Sequence, residues 1–171
     1  PVICSFHVQP ENMLFNLGIR SSLLAKILYK FLIAAFYNRV DLVIAPSEFA
    51  KQALVSNGLT SSVLVLSNGV PKRFLEIPEK PRSTRKQSFK VLSVGRFAKE
   101  KCQATILHAI AESKYRGQIE LTMIGAGPLE TEMRDLANSL GLKVFMGSVS
   151  DDELVQHYAE ADLFLHAGEI E

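Results

Sequence analysis

Short apolar runs alternate with longer, half-apolar stretches along almost the whole chain. The runs VICSFHV (2–8), DLVIAPS (41–47), SVLVLSNG (62–69), KVLSVGRF (90–97), QIELTMIGAG (118–127), residues 142–149 and DLFLHA (162–167) have the length and apolar content of buried strands. Between them, residues 22–39, 47–57, 101–114, 128–140 and 151–160 repeat their apolar positions at helical spacing. Asn57-Gly58 and Gly141 stop two of these helices. Near-continuous apolar strands separated by amphipathic helices predict parallel sheets covered by helices on both faces.

The rhythm breaks once. Residues 71–90 hold three prolines, seven basic residues and no usable period. That composition reads as a solvated linker over 71–89, because a structureless loop of this length is uncommon inside a compact domain. The expected organisation is therefore a first Rossmann-like half over 1–70, a basic linker, and a second half over 90–171. About three strands fall in the first half and four in the second, so both halves read as incomplete. The chain opens on PVICSFHV, an apolar run without an initiator Met or a basic leader, which suggests an excised piece.

Bulk composition narrows the function classes. With 47% hydrophobic and 22% charged residues the chain is ordinary for a soluble globular protein. A net charge of +1 offers nothing to a strongly charged partner, and no nucleic acid is expected. The charge is uneven: residues 1–90 hold 12 Lys and Arg against 5 Asp and Glu, and the remainder holds 7 against 13. Cys4 and Cys102 lack metal-ligand or redox spacing and read as reduced thiols of a cytosolic protein. No stretch reaches the roughly 18 apolar residues of a membrane span. Residues 19–40 carry Arg20, Lys26, Lys30 and Arg39 and no acid. Leu23, Leu24, Ile27, Leu28, Phe31 and Ala35 form an apolar stripe there, with Lys26 and Lys30 on the opposite side. Such a helix lies on an anionic membrane or serves as a core helix with a solvated face.

Ligands of open parallel sheets bind outside the carboxyl ends of the strands, so the strand-to-helix turns are where chemistry is sought. In VGRFAKEK, Gly95 allows close backbone approach, Arg96 offers a planar fork for phosphate oxygens, and Lys101 adds a compact charge at a helix start. The plainer reading is a solvated basic turn in which Glu100 neutralises a neighbour. If the turn does bind phosphate, Arg96→Ala is expected to cripple activity while barely changing stability, because an unliganded basic turn contributes little to folding. In IGAGPLE, Gly125 and Gly127 precede a helix beginning near Pro128, but the third glycine of the dinucleotide fingerprint is replaced by Glu130 or Thr131. That leaves a turn beside a nucleotide or a purely structural turn. His7 ends the first strand, where a structural and a catalytic role are both open, and His166 has the same placement before Glu169 and Glu171. No spacing supports a zinc site, a serine nucleophile elbow or a P-loop.

Taken in order, strand-SFH, DLVIAPS, VLVLSNGV, the linker, VGRFAKEK, IGAGP, a Gly-x-Val strand end and a closing acidic loop resemble a retaining glycosyltransferase of family 4. The resemblance spans essentially the whole chain and implies the two-domain GT-B fold. SFHVQPENMLFNLGI and HAGEIE look most like the bacterial cholesterol and diacylglycerol α-glucosyltransferases of this family. The resemblance implies that Arg96 and Lys101 hold the donor diphosphate beside Gly95, that Gly125 and Gly127 line the nucleotide, and that Gly147, Ser148 and Val149 flank the base. His7 would face the reacting sugar from the acceptor domain. Of the family's two donor-site glutamates the first falls on Glu171 or Glu169, and the second lies beyond the chain. Pro71 stands after Val70 where the family usually has Asp. The implied donor is a nucleotide-sugar, UDP-linked, used without metal or cofactor. The implied acceptor is a membrane lipid, with the protein peripheral on the inner, cytoplasmic face of the membrane. The isolated piece is expected to be inactive and to self-associate. The competing classes are a nucleotide- or NAD(P)-binding Rossmann protein without catalysis and a basic adaptor recruited to membranes.

Overall fold

The computed structural model describes residues 1–7, 9–78 and 87–168. The chain forms two compact units, Pro1–Gly69 and Val70–Glu171. Each has its own parallel sheet and its own hydrophobic core.

The first unit runs β1 (Ile3–Ser5), α1 (Pro10–Asn16), α2 (Ser22–Ala35), β2 (Leu42–Ala45), α3 (Glu48–Ser56) and β3 (Ser62–Val65). Its strands pair in the order β1-β2-β3, all parallel. Ser21 and Ser47 cap α2 and α3 by accepting from the backbone N–H groups of Leu24 and Ala50. Pro10 starts α1, a helix absent from the periodicity because its seven residues are too few to show a period. Every crossover steps in one direction, so right-handed connections put the helices on one face of the sheet. The core lies there: Tyr29 and Ile33 of α2 and Ala50 and Leu54 of α3 meet Val43, Ala45 and Phe6. On the other face Ile3 and Leu64 stay 57% and 48% exposed.

Helix α2 buries a different stripe from the expected one. Ala25, Tyr29 and Ile33 are buried, whereas Leu23, Leu24, Ile27 and Phe31 are exposed, along with Lys26 and Lys30. The helix is apolar nearly all round, so apolar spacing alone does not fix which stripe is buried. Phe6 decides the matter, packing at 6.3 Å from the Tyr29 ring and edge-on at 5.7 Å against Tyr37. The lysines therefore border the exposed apolar stripe instead of opposing it.

The second unit contains α4 (Lys72–Leu75), β4 (Phe89–Val94), α5 (Gln103–Glu112), β5 (Ile119–Ile124), α6 (Glu130–Ser139), β6 (Val144–Gly147), α7 (Asp151–Glu160) and β7 (Leu163–Phe164). The stretch read as linker thus opens with the one-turn α4. Arg73 pairs with Asp151, and Phe74 packs edge-on against Tyr158 at 5.8 Å. Residues 79–86 of that stretch lie outside the described residues. Four parallel strands take the order β6-β5-β4-β7. The chain winds outward through β5 and β6 and then returns past β4 to β7, so α7 falls on the face opposite α5 and α6. Residues from α5 and α6 (Ile106, Leu107, Ile110, Met133 and Ala137) pack on Val91, Leu121, Met123 and Met146. At the start of the β4–β7 pair, the Lys90 N–H donates to Asp162 Oδ2 at 3.0 Å and Lys90 Nζ donates to Glu160 at 2.6 Å.

Candidate functional site

The return from β6 to β7 makes the β4–β7 boundary the topological switch point of the second sheet, where such sheets open a crevice at the strands' carboxyl ends. Two turns flank it: Gly95-Arg96-Phe97 after β4 and His166-Ala167-Gly168 after β7. Glu169 and Glu171, expected to act beside them, lie outside the described residues.

The β4 turn is tied to its neighbour by backbone bonds. The Gly95 N–H donates to Ile124 O at 2.9 Å, Phe97 N–H to Ala126 O at 3.1 Å, and Leu129 N–H to Phe97 O at 3.1 Å. These bonds press the two turns together so closely that side chains do not fit between them. A Cβ on Gly127 would lie 2.3 Å from Phe97 O, and one on Gly125, at φ +151°, would lie 2.1 Å from Gly95 O. Both glycines are required by this close approach, whatever binds there. The Gly125 N–H in turn donates to Gly147 O at 2.9 Å, joining the three turns that the sequence singled out. Ser148 is exposed and Val149 half-buried at the end of β6.

Arg96 and Lys101 stand at opposite ends of the segment entering α5. The Arg96 side chain is 64% exposed and that of its partner Glu100 only 11%. Arg96 Nη2 donates to Glu100 Oε1, while Glu100 Oε2 is buried without a hydrogen-bond partner among the described residues. Burial pushes the Glu100 carboxyl up. The Arg96 hydrogen bond, its own backbone N–H and the charges of Arg96 and Lys101 outweigh that and hold it below the usual carboxylate range. Gln103, also buried, donates from Nε2 to Arg96 O at 2.7 Å. Cys102, between them, takes the left-handed conformation (φ 48°) that redirects the chain into α5. Sequence reading had Glu100 only as a neutraliser of a solvated turn and missed Gln103. The i, i+4 spacing of Arg96 and Glu100 was visible, but their burial was not.

His7 belongs to the first unit, exposed just after β1. Arg20, Lys26, Lys30 and Arg39 are exposed in the same unit, with the Arg20 guanidinium 5.3 Å from the centre of the Phe15 ring. Among the described residues no group of three His, Cys, Asp or Glu side chains is placed to hold a metal ion, and no helix is long and apolar enough to cross a membrane.

Two units built on parallel sheets, the second with a cationic turn at its switch point, define an α/β fold of the GT-B kind. The chain belongs to the glycosyl transferases group 1 family, whose model matches residues 76–171, and the Glycosyltransferase Family 4 model matches residues 1–74. It is 26% identical to the alpha-monoglucosyldiacylglycerol synthase of Streptococcus pneumoniae over 98% of this chain and 41% of that protein. It is 28% identical to the GDP-mannose-dependent alpha-mannosyltransferase of Corynebacterium glutamicum over 81% of this chain and 33% of that protein. The chain thus spans less than half the length of either relative. In fold it matches Anabaena HepE, solved in complex with UDP and glucose, with a TM-score of 0.69 at 19% identity over 98% of this chain and 46% of that one.

Proposed function

We propose that the protein carrying this chain transfers a hexose from a nucleotide-sugar, UDP-linked, to a membrane lipid with retention of anomeric configuration. The observation that carries this reading is the β4–α5 turn: an exposed arginine fork and a lysine at a helix start, beside the switch point. As the sugar–phosphate bond breaks, charge gathers on the departing diphosphate. Fixed cations there stabilise the transition state without a metal, each worth about 2–4 kcal/mol. The lipid acceptor is supported by similarity to the pneumococcal diacylglycerol glycolipid synthase. It is also supported by α2, whose exposed Leu23, Leu24, Ile27 and Phe31 run beside Lys26 and Lys30, a combination suited to an anionic lipid surface on the cytoplasmic face of a membrane. Gly95, Gly125 and Gly127 would admit the nucleotide, and Gly147, Ser148 and Val149 would flank its base.

The test is ligand protection followed by transfer. UDP, and not NAD, is expected to raise the melting temperature of the full-length protein. Glucose from UDP-glucose is expected to appear on diacylglycerol in anionic vesicles. Protection by NAD alone would favour a dinucleotide-binding protein, and vesicle binding with no nucleotide effect would favour a membrane adaptor. His7 is assigned to the acceptor side of the reaction, so His7→Ala is expected to lower kcat and leave UDP affinity unchanged. Weaker UDP binding would remove that assignment.

A further inference from the structure

The buried polar side chains among the described residues are Ser93, Glu100 and Gln103, all in β4 or the segment entering α5. Two of the three grip one residue. Glu100 holds the Arg96 guanidinium and Gln103 holds the Arg96 carbonyl. We infer that Glu100 is a positioning residue that fixes the Arg96 guanidinium for the donor diphosphate; this rests on the diphosphate reading of that turn.

A carboxylate is a poor choice here on every other ground. Burying it is unfavourable unless it is paired. Its negative charge also weakens the attraction of the turn for an anion. Glu100 Oε2 is buried without a hydrogen-bond partner among the described residues, where that oxygen adds no wider network to justify the residue. What Glu100 does supply is a grip from the buried side on a side chain that is 64% exposed. Among the described residues only Nη2 is engaged, and the guanidinium keeps further N–H donors for phosphate oxygens. An arginine ordered before binding loses less side-chain freedom when the ligand arrives, an advantage of up to roughly tenfold in affinity.

Electrostatics and positioning predict opposite orders, and calorimetric titration of the full-length protein with UDP separates them. Glu100→Gln keeps the reach and one acceptor oxygen, so it is expected to stay within about threefold of wild type. Glu100→Asp keeps the charge but is a methylene short, so it and Glu100→Ala are expected to bind roughly tenfold more weakly. If Ala and Gln bind more tightly than wild type, or all four bind alike, the inference is overturned. If the Ala variant fails to fold, the Gln–Asp pair decides the matter alone. In an Arg96→Ala background the Glu100 substitutions are expected to leave UDP affinity unchanged. An effect persisting there would show that Glu100 does not act through Arg96. A wild-type protein that binds neither UDP nor GDP overturns the diphosphate reading itself and the inference with it, and the failure of the wild type distinguishes that case.

Discussion

At the scale of single residues, Arg96 has two duties where the sequence suggested one. An exposed basic side chain in an unliganded turn contributes little to folding. Arg96, however, is the hydrogen-bonding partner of a buried carboxylate. Arg96→Ala is therefore expected to weaken UDP protection, leaving measurable residual binding, and also to destabilise the fold by about 1–3 kcal/mol, because Glu100 is left buried and unpaired. Adding Glu100→Gln should restore most of the stability and none of the UDP binding. Thermal melts of the single and double variants, with and without UDP, check both halves; a double variant no more stable than the single one would sink the account. The same pair sets a pH dependence. The folded pKa of Glu100 is lowered below its unfolded value, so its contribution is fully present above the unfolded value and is lost as pH falls toward the folded one. Urea midpoints between neutral and acid pH are expected to fall more steeply for wild type than for Glu100→Gln. Parallel acid limbs would show that the pair contributes nothing.

At the scale of elements, strand and helix positions were legible because apolar period and chain length agree for most of them: α7 spans the expected 151–160, and each expected strand overlaps an observed one, with only Phe89 of β4 falling outside its expected run. At the turns the sequence showed the glycines and the charges, and the structure places them at the strands' carboxyl ends. What stayed hidden was anything fixed by packing. The face that α2 buries depends on Phe6, a contact across 23 positions of sequence, and no periodicity encodes it. The necessity of Gly127 depends on Phe97 pressing against it from another strand turn. The exposed stripe of α2 is thus a structural finding, and it carries a prediction. Phe31 is 61% exposed and outside the core, so Phe31→Glu is expected to change stability by no more than about 0.5 kcal/mol. It should nonetheless reduce sedimentation with anionic vesicles several-fold, because it puts a charge on the stripe proposed to meet lipid. Tyr29→Ala, on the buried side, should instead unfold the unit. Unchanged vesicle binding by Phe31→Glu, with the fold intact, would take α2 out of the lipid-binding reading.

At the scale of the whole molecule, the charge asymmetry seen along the sequence does not divide between the units. Cut at their boundary, the first holds five Lys and Arg against three Asp and Glu, and the second 14 against 15. The excess lies in two local places, residues 20–39 of the first unit and 71–90 of the second. Four of the first unit's five cations stand on or beside α2, while the cations of the β4 turn are matched by Glu100 and by the acidic residues of the second unit. The two proposed ligand surfaces are therefore local and lie on different units, each with its own core. Hydrogen exchange on the full-length protein should resolve them. UDP is expected to slow exchange at the β4–α5 and β5–α6 turns, since a ligand at 100 times its Kd suppresses local opening by about 2.7 kcal/mol, and to leave α2 unchanged. Anionic vesicles are expected to do the reverse, slowing α2 and leaving the β4–α5 turn as it was. Protection of α2 by UDP in the absence of lipid would show that the nucleotide reaches the first unit, and the assignment of each surface to one ligand would be wrong.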